Sequence, residues 1–229
     1  MDDYFVERED NPKDENGNPD YECLEAIDLK LFDSQLGSLL EGKEVTIPTF
    51  NFALGKKEYR NKLKLGADDI IVIEGIHAID PKILTNIPRE NKFKIYISAL
   101  TELNMDEHNR VSTTDNRLLR RIIRDNRTRG YDVEHTLRSW PSVRSGEEKY
   151  IFPFQDEADY TINSALIYEI GVLKTYVEPL LYSVPNSSPY YEEAKRLINF
   201  LRLFLPIPAD DIPADSILRE FIGNGCFHD

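Results

Sequence analysis

The hydrophobic positions of the chain change period several times along its length. From Tyr21 to Leu40 they recur at helical spacing (Leu24, Ile27, Leu31, Leu39), and Gly42 supplies a stop. Val45 to Phe52 alternates as a strand broken at Pro48, and Tyr59 to Leu65 is its expected partner. Three short apolar runs, Asp69–Glu74 (DIIVIE), Phe93–Ser98 (FKIYIS) and Asp159–Asn163 (DYTIN), read as core strands. Helical spacing predicts helices over Thr114–Arg129 and Val133–Val143, separated by Gly130. It predicts two long ones over Ala165–Leu181 and Tyr190–Phe204, and a short one near Ile217–Ile222 beyond the proline-rich stretch LPIPADDIPAD. Asp2–Phe5 reads as the stub of an earlier strand, and Asn11–Asp20 as a polar loop. No internal repeat is visible. Strands alternating with helices imply an α/β fold with a parallel, helix-covered sheet, whose ligands bind beyond the carboxyl ends of the strands.

Composition narrows the class. The 229 residues suffice for one sizeable α/β core or at most two small domains. With 41% hydrophobic and 30% charged residues, the chain reads as soluble and globular. Its formal charge of −13 argues against nucleic acid or an anionic membrane as a partner. No apolar run approaches the ~20 residues of a membrane helix, and the N-terminus lacks the basic and apolar regions of a signal peptide. Cys23 and Cys226 are too few for a disulfide framework or a zinc cluster. A cytoplasmic protein is expected.

The charge is uneven. Residues 1–28 carry a net −9, whereas residues 110–130 hold seven arginines and no lysine against Asp115 and Asp125. Arg117, Arg120, Arg124 and Arg127, spaced three, four and three, form one helical stripe, with Arg121 beside it and Arg129 before Gly130. Leu118, Leu119, Ile122 and Ile123 take the opposite side. A solvated helix face is the plain reading of such a run, but arginine without lysine suits bidentate phosphate contacts. A mobile helix pair carrying arginines over a phosphate is one way to exclude water and stabilise transferring charge.

Two further patterns bear on chemistry. The run Ile70-Ile71-Val72-Ile73 delivers Glu74 to the end of a strand, where an acid can hold Mg²⁺ near a nucleotide phosphate. Gly75 then lets the backbone turn close to a ligand. Asp2 and Asp3 are a second set of strand-end acids. Gly37–Lys43 imitates a phosphate loop, but Glu44 stands where Ser or Thr is needed, so Gly42 reads as a helix cap. His77, His108, His135 and His228 show no ligand spacing; His77 follows the strand-end acid and reads equally as a residue lining the site or as a hydrogen-bonded structural histidine.

Together these segments resemble the uridine kinase and phosphoribulokinase family of P-loop kinases. Asp2-Asp3-Tyr4-Phe5 looks like its acid–aromatic motif after the second strand, and Asn18–Glu22 with Glu25–Asp28 looks like the region that meets the acceptor sugar. Leu40–Lys43 through Pro48–Phe52 is similar to its substrate hairpin. Ile73–His77 is similar to its strand-end acid, and Arg117–Asp125 with Arg129-Gly130 to its lid. The segments Trp140–Val143 and Phe152–Gln155 and the helical tail resemble the bacterial uridine-kinase-related branch. The likeness runs from residue 1 to about 165.

The resemblance implies a P-loop NTPase-like core over residues 1–165 with a lid at about 115–150, and a helical C-terminal extension over 166–229. It implies that the first β-loop-α unit, which carries the phosphate loop, is missing before Met1. It implies ATP as co-substrate and Mg²⁺ as cofactor. Asp2 would act as base and share the metal with Glu74, and Arg121 and Arg124 would be catalytic. Arg117, Arg120 and Arg129 would bind the nucleotide. Asp20, Phe50, Asn51 and His77 would line the acceptor site. Phe50 and Asn51 depart from the family's tyrosine and aspartate, and Gly55 or a neighbour stands where the family has a histidine just after Phe52. The partner is expected to be a small nucleoside or sugar, with a homo-oligomer open. Two alternatives remain: a degenerate kinase fold used for binding or assembly, and a sugar-phosphate kinase of the phosphoribulokinase type.

Overall fold

The computed structural model describes all residues except Asn16, Asn18, Ala53, His228 and Asp229. The chain gathers into two compact units that cut across sequence order. Met1–Tyr96 with Val143–Tyr160 forms the first, and Ile97–Ser142 with Thr161–Asp229 the second.

In the first unit, helix α1 spans Leu29–Leu40 and a hairpin pairs β1 (Val45–Asn51) with β2 (Lys56–Leu63). The expected helix from Tyr21 starts eight residues later because Asp28 caps it. The Asp28 carboxylate accepts from the Leu31 N–H at 3.1 Å, and within the expected first turns lies a short 3₁₀ turn, Leu24–Ala26. At the other end Gly42 takes φ 75°, its N–H bonds the Leu39 carbonyl, and the Lys43 N–H reaches back to Ser38. This is the paired closure that favours glycine after a helix, and it disposes of the false phosphate loop. The hairpin shifts register between Ile47 and Pro48, at the residue that has no N–H to pair. Phe32, Leu36 and Leu39 bury the inner face of α1, and Leu24, Ala26, Ile27, Ile79 and Ile83 are also in this unit's interior.

The second unit holds α2 (Thr113–Arg129), α4 (Glu169–Tyr182), α5 (Tyr191–Leu201) and the short α6 (Arg219–Ile222). Leu118, Leu119, Ile122 and Ile123 of α2 are buried among Ile170, Leu173, Val177, Leu197 and Leu201. Gly171 permits a close chain crossing: a Cβ there would lie 2.8 Å from the Leu205 carbonyl oxygen. Helix α3 (Val133–Tyr150) is longer than expected and carries Pro141 inside it; the division between units falls just after that residue.

Strand β3 (Ile95–Ser98) pairs with β4 (Tyr160–Asn163). The Lys94 carbonyl accepts from the Asp159 and Tyr160 N–H groups, and the Ser98 carbonyl from Ser164, so the two strands run parallel. The α/β class therefore holds, but these are not core strands. Each has one ladder partner among the described residues, and Ile97 and Tyr160 are exposed. Asp69–Glu74 departs further. It pairs with no strand, and Ile70 and Val72 are 88% and 86% exposed. Its apolar alternation is that of a strand, but a strand needs a neighbour to bury it.

Candidate functional site

The opening residues Asp2–Tyr4 form a 3₁₀ turn rather than a strand. The turn is held by three segments distant in sequence. The Phe50 N–H donates to Asp3 Oδ1 at 2.9 Å, and the Met1 nitrogen to the Glu74 carbonyl at 2.7 Å. The Asp28 N–H bonds the Tyr4 carbonyl, and the Val6 N–H bonds Ala26. The acid–aromatic motif, the hairpin and the strand-end acid thus meet in one place. Phe5, Phe50 and Phe52 make a cluster of edge contacts, with centroids 5.1–6.2 Å apart. Tyr4 donates to Gln35 at 2.9 Å, and burial, helped by Asp3, pushes its phenol up to about 12.

Asp2 and Glu74 are both exposed. Among the described residues no three His, Cys, Asp or Glu side chains form a metal cluster. Mg²⁺ does not require one, since it takes one or two carboxylates plus phosphate oxygens and water. Two exposed carboxylates on adjoining segments fit that demand. The 229 residues contain no complete phosphate loop, so the chain's own residues do not fit a cradle for the ATP phosphates.

Asn51 serves the hairpin turn. Its amide donates to Glu58 and accepts from the Leu54 N–H, at 3.0 and 3.1 Å. Asp20 closes its own turn by accepting from the Glu22 N–H at 3.0 Å. Asn18, ahead of it, lies outside the described residues, as does His228. The segment after Asp20 packs against His77, which is 3% exposed. The ring lies 5.2 Å from Tyr150 at 69° and faces the Glu22 and Cys23 backbone, yet neither nitrogen closes a hydrogen bond. Burial lowers its basicity, partly opposed by Asp80. Tyr150 was invisible in the sequence because it closes a helix 73 residues away from His77. Burial and the nearby Asp20 carboxylate raise its phenol. Cys23 and Cys226 are free thiols.

The arginines of α2 have partners in their own unit. Arg120 makes a buried pair with Glu169, and its guanidinium lies 5.0 Å from the Phe221 ring. Arg121 and Arg129 pair with Asp125 at 3.2 and 3.0 Å, and that carboxylate is almost fully buried. Arg127 bonds the carbonyls of Glu220 and Phe221, and Arg124 faces the Glu220 carboxylate at 3.6 Å. Arg117 lies on the same stripe and is not without a partner. No helix among the described residues is long and apolar enough to cross a membrane.

The profile described as "Phosphoribulokinase / Uridine kinase family" matches residues 2–170. The uridine kinase of Halobacterium salinarum is 27% identical over 164 residues, covering 71% of this chain and 65% of that protein. The uridine kinases of Staphylococcus aureus strains JH9 and Newman are each 27% identical over 162 residues, covering 69% of either chain. The match therefore spans about two thirds of the length of these relatives. With three chain-distant motifs drawn to one turn and a profile running through most of the sequence, the chain belongs to the phosphoribulokinase / uridine kinase family, a family of ATP-dependent kinases.

Proposed function

We propose that this chain carries the acceptor side of a kinase that moves the γ-phosphoryl group of ATP to a ribose hydroxyl of a nucleoside. The observation that supports this is the meeting of Asp2–Tyr4, Phe50 and Glu74, joined by the Asp3–Phe50 and Met1–Glu74 hydrogen bonds. In this reading residues 1–165 are the kinase core, 115–150 its lid and 166–229 a helical extension. Asp2 takes the proton from the acceptor hydroxyl. Phe50 packs against the nucleoside, and Asp20 and Asn51 hold its sugar and edge. His77, buried beneath the segment that follows Asp20, backs the acceptor site rather than opening onto it. Asp2 and Glu74 hold Mg²⁺, which when bound neutralises charge on the phosphates. Arg121 and Arg124 meet the transferring charge, and Arg117 and Arg129 the nucleotide. Arg120, engaged by Glu169, orients the arginine helix.

The test is a nucleoside panel (uridine, cytidine, adenosine) with Mg-ATP, on this chain and on a version fused to a family phosphate-loop unit. The 229 residues alone bind ATP weakly, because the backbone cradle is not among them. The fused version turns over several nucleosides, since an asparagine at position 51 gives little base discrimination. Its Asp2→Asn variant loses about 10²–10⁴-fold in kcat. Full turnover in Asp2→Asn removes Asp2 from the mechanism. Activity on ribulose 5-phosphate alone moves the chain to the phosphoribulokinase side, and a folded but inert fusion supports a binding role.

A further inference from the structure

The arginine helix is not uniformly committed. Arg120 is consumed by Glu169 inside the core, and Arg121 and Arg129 share the buried Asp125 carboxylate. Arg127 is spent on two backbone carbonyls. Arg124 differs. Its pairing with Glu220 is 3.6 Å long, beyond hydrogen-bond reach, and its Nε is buried with no partner. One third of its side chain is exposed, and half of Glu220's is.

The backbone around Glu220 is fixed. Phe221 and Ile222 are buried, Arg127 holds the carbonyls of Glu220 and Phe221, and the Phe221 ring lies against Arg120. Only the Glu220 carboxylate is left to swing. A clamped backbone thus presents one loosely paired, half-exposed acid to Arg124, whose ion pair is long and whose Nε has no partner. An exposed ion pair at that separation stabilises little. A phosphate group offers more charge and several acceptor oxygens in the geometry a guanidinium matches with two parallel hydrogen bonds.

Taking Arg124 as the phosphate contact of the reading above, we propose that Glu220 is its built-in competitor. The C-terminal segment then sets the threshold at which the arginine helix takes up phosphate. The ligand displaces a carboxylate rather than filling open space, so a single weak anion leaves Glu220 in place while the polyphosphate end of a nucleotide removes it. This inference rests on the reading that arginines of α2 meet phosphate, and it assigns the C-terminal extension a role in that contact.

The probe is inorganic pyrophosphate, titrated calorimetrically into the full chain. Glu220→Gln keeps the size of the side chain and removes the competing charge, so pyrophosphate should bind about two- to five-fold tighter, the range expected from an exposed pair. Arg124→Gln should weaken binding, and in that background Glu220→Gln should have no further effect. Thermal melts establish that each variant is folded; both side chains are partly exposed. If Glu220→Gln binds equally or more weakly while Arg124→Gln still loses affinity, Glu220 does not compete and the phosphate reading of α2 stands. If Arg124→Gln leaves affinity unchanged in both backgrounds, the competition and the phosphate role of Arg124 fall together.

Discussion

Arg120 and Glu169 meet through two near-parallel hydrogen bonds, Nε to Oε1 at 2.8 Å and Nη2 to Oε2 at 2.7 Å, with the carboxylate fully buried. Further hydrogen bonds support the pair, among them Arg120 Nη1 to Ser164 Oγ at 3.2 Å. The Ser164 carbonyl accepts from the same Nη2 at 2.7 Å, and the Leu166 N–H donates to Glu169 Oε2 at 2.6 Å. An arginine that lies on the candidate phosphate stripe in sequence is thus a strut between α2 and the start of α4. Removing one partner leaves a buried, unpaired charge. Glu169→Ala should cost about 3–5 kcal/mol, whereas replacing both by apolar residues of similar volume should cost far less. Urea denaturation of the single and double variants checks this, and a loss below about 1 kcal/mol for Glu169→Ala would mean that the pair is not buried in solution.

Asp28 does two jobs with its two oxygens. Oδ1 caps α1 at Leu31 and Oδ2 meets the Lys57 ammonium at 2.5 Å, where the lysine side chain is only 8% exposed. Burial pushes its carboxyl up, but the hydrogen bonds from Lys57 and Leu31 outweigh that and hold it below its usual value. The stability it contributes is present above the ordinary aspartate range and is lost as pH falls through the lowered value. Asp28→Ala should cost about 2–4 kcal/mol at neutral pH, combining a lost cap with a nearly buried lysine left alone. Asp28→Asn keeps the capping oxygen and should cost less. Melts at neutral pH rank the two variants, and equal losses would show that the cap contributes nothing.

His77 gives a pH signature of opposite chemical origin. Burial lowers its pKa below the ordinary histidine value of 6.5. The unfolded chain then binds a proton that the folded chain refuses, so stability falls as pH drops through the unfolded value. One such group contributes at most about 1.4 kcal/mol per pH unit. His77→Phe keeps an aromatic ring against Tyr150 and removes the titration. Its melting temperature should fall less than the wild type's between pH 7.5 and 5. Parallel curves would show that the ring titrates freely in the folded protein.

The sequence revealed those parts of the structure whose signals are local. The arginine helix, its Gly130 stop and the hairpin read correctly because periodicity, capping and turn chemistry act over a few residues. The start of α1 was misplaced because Leu24 and Ile27 fit helical spacing, while the Asp28 cap that overrides it is a side-chain contact. Glu169 as partner of Arg120 and Tyr150 as neighbour of His77 were illegible, since both are set by long-range packing. Ile70–Ile73 has the composition of a core strand, but composition cannot report whether a neighbouring strand exists.

That unpaired segment has a colloidal consequence. A run of four β-branched residues with no strand partner, whose Ile70 and Val72 are exposed, is the kind of surface on which copies of one chain stack edge to edge. Asp68 and Asp69 precede the run and Glu74 closes it. In-register stacking would bring each of these carboxylates within about 4.8 Å of its own copy, where like charges repel. The acid that ends the run therefore serves twice: as a candidate metal ligand, and as a gatekeeper that keeps the exposed Ile70 and Val72 from recruiting their counterparts on another molecule.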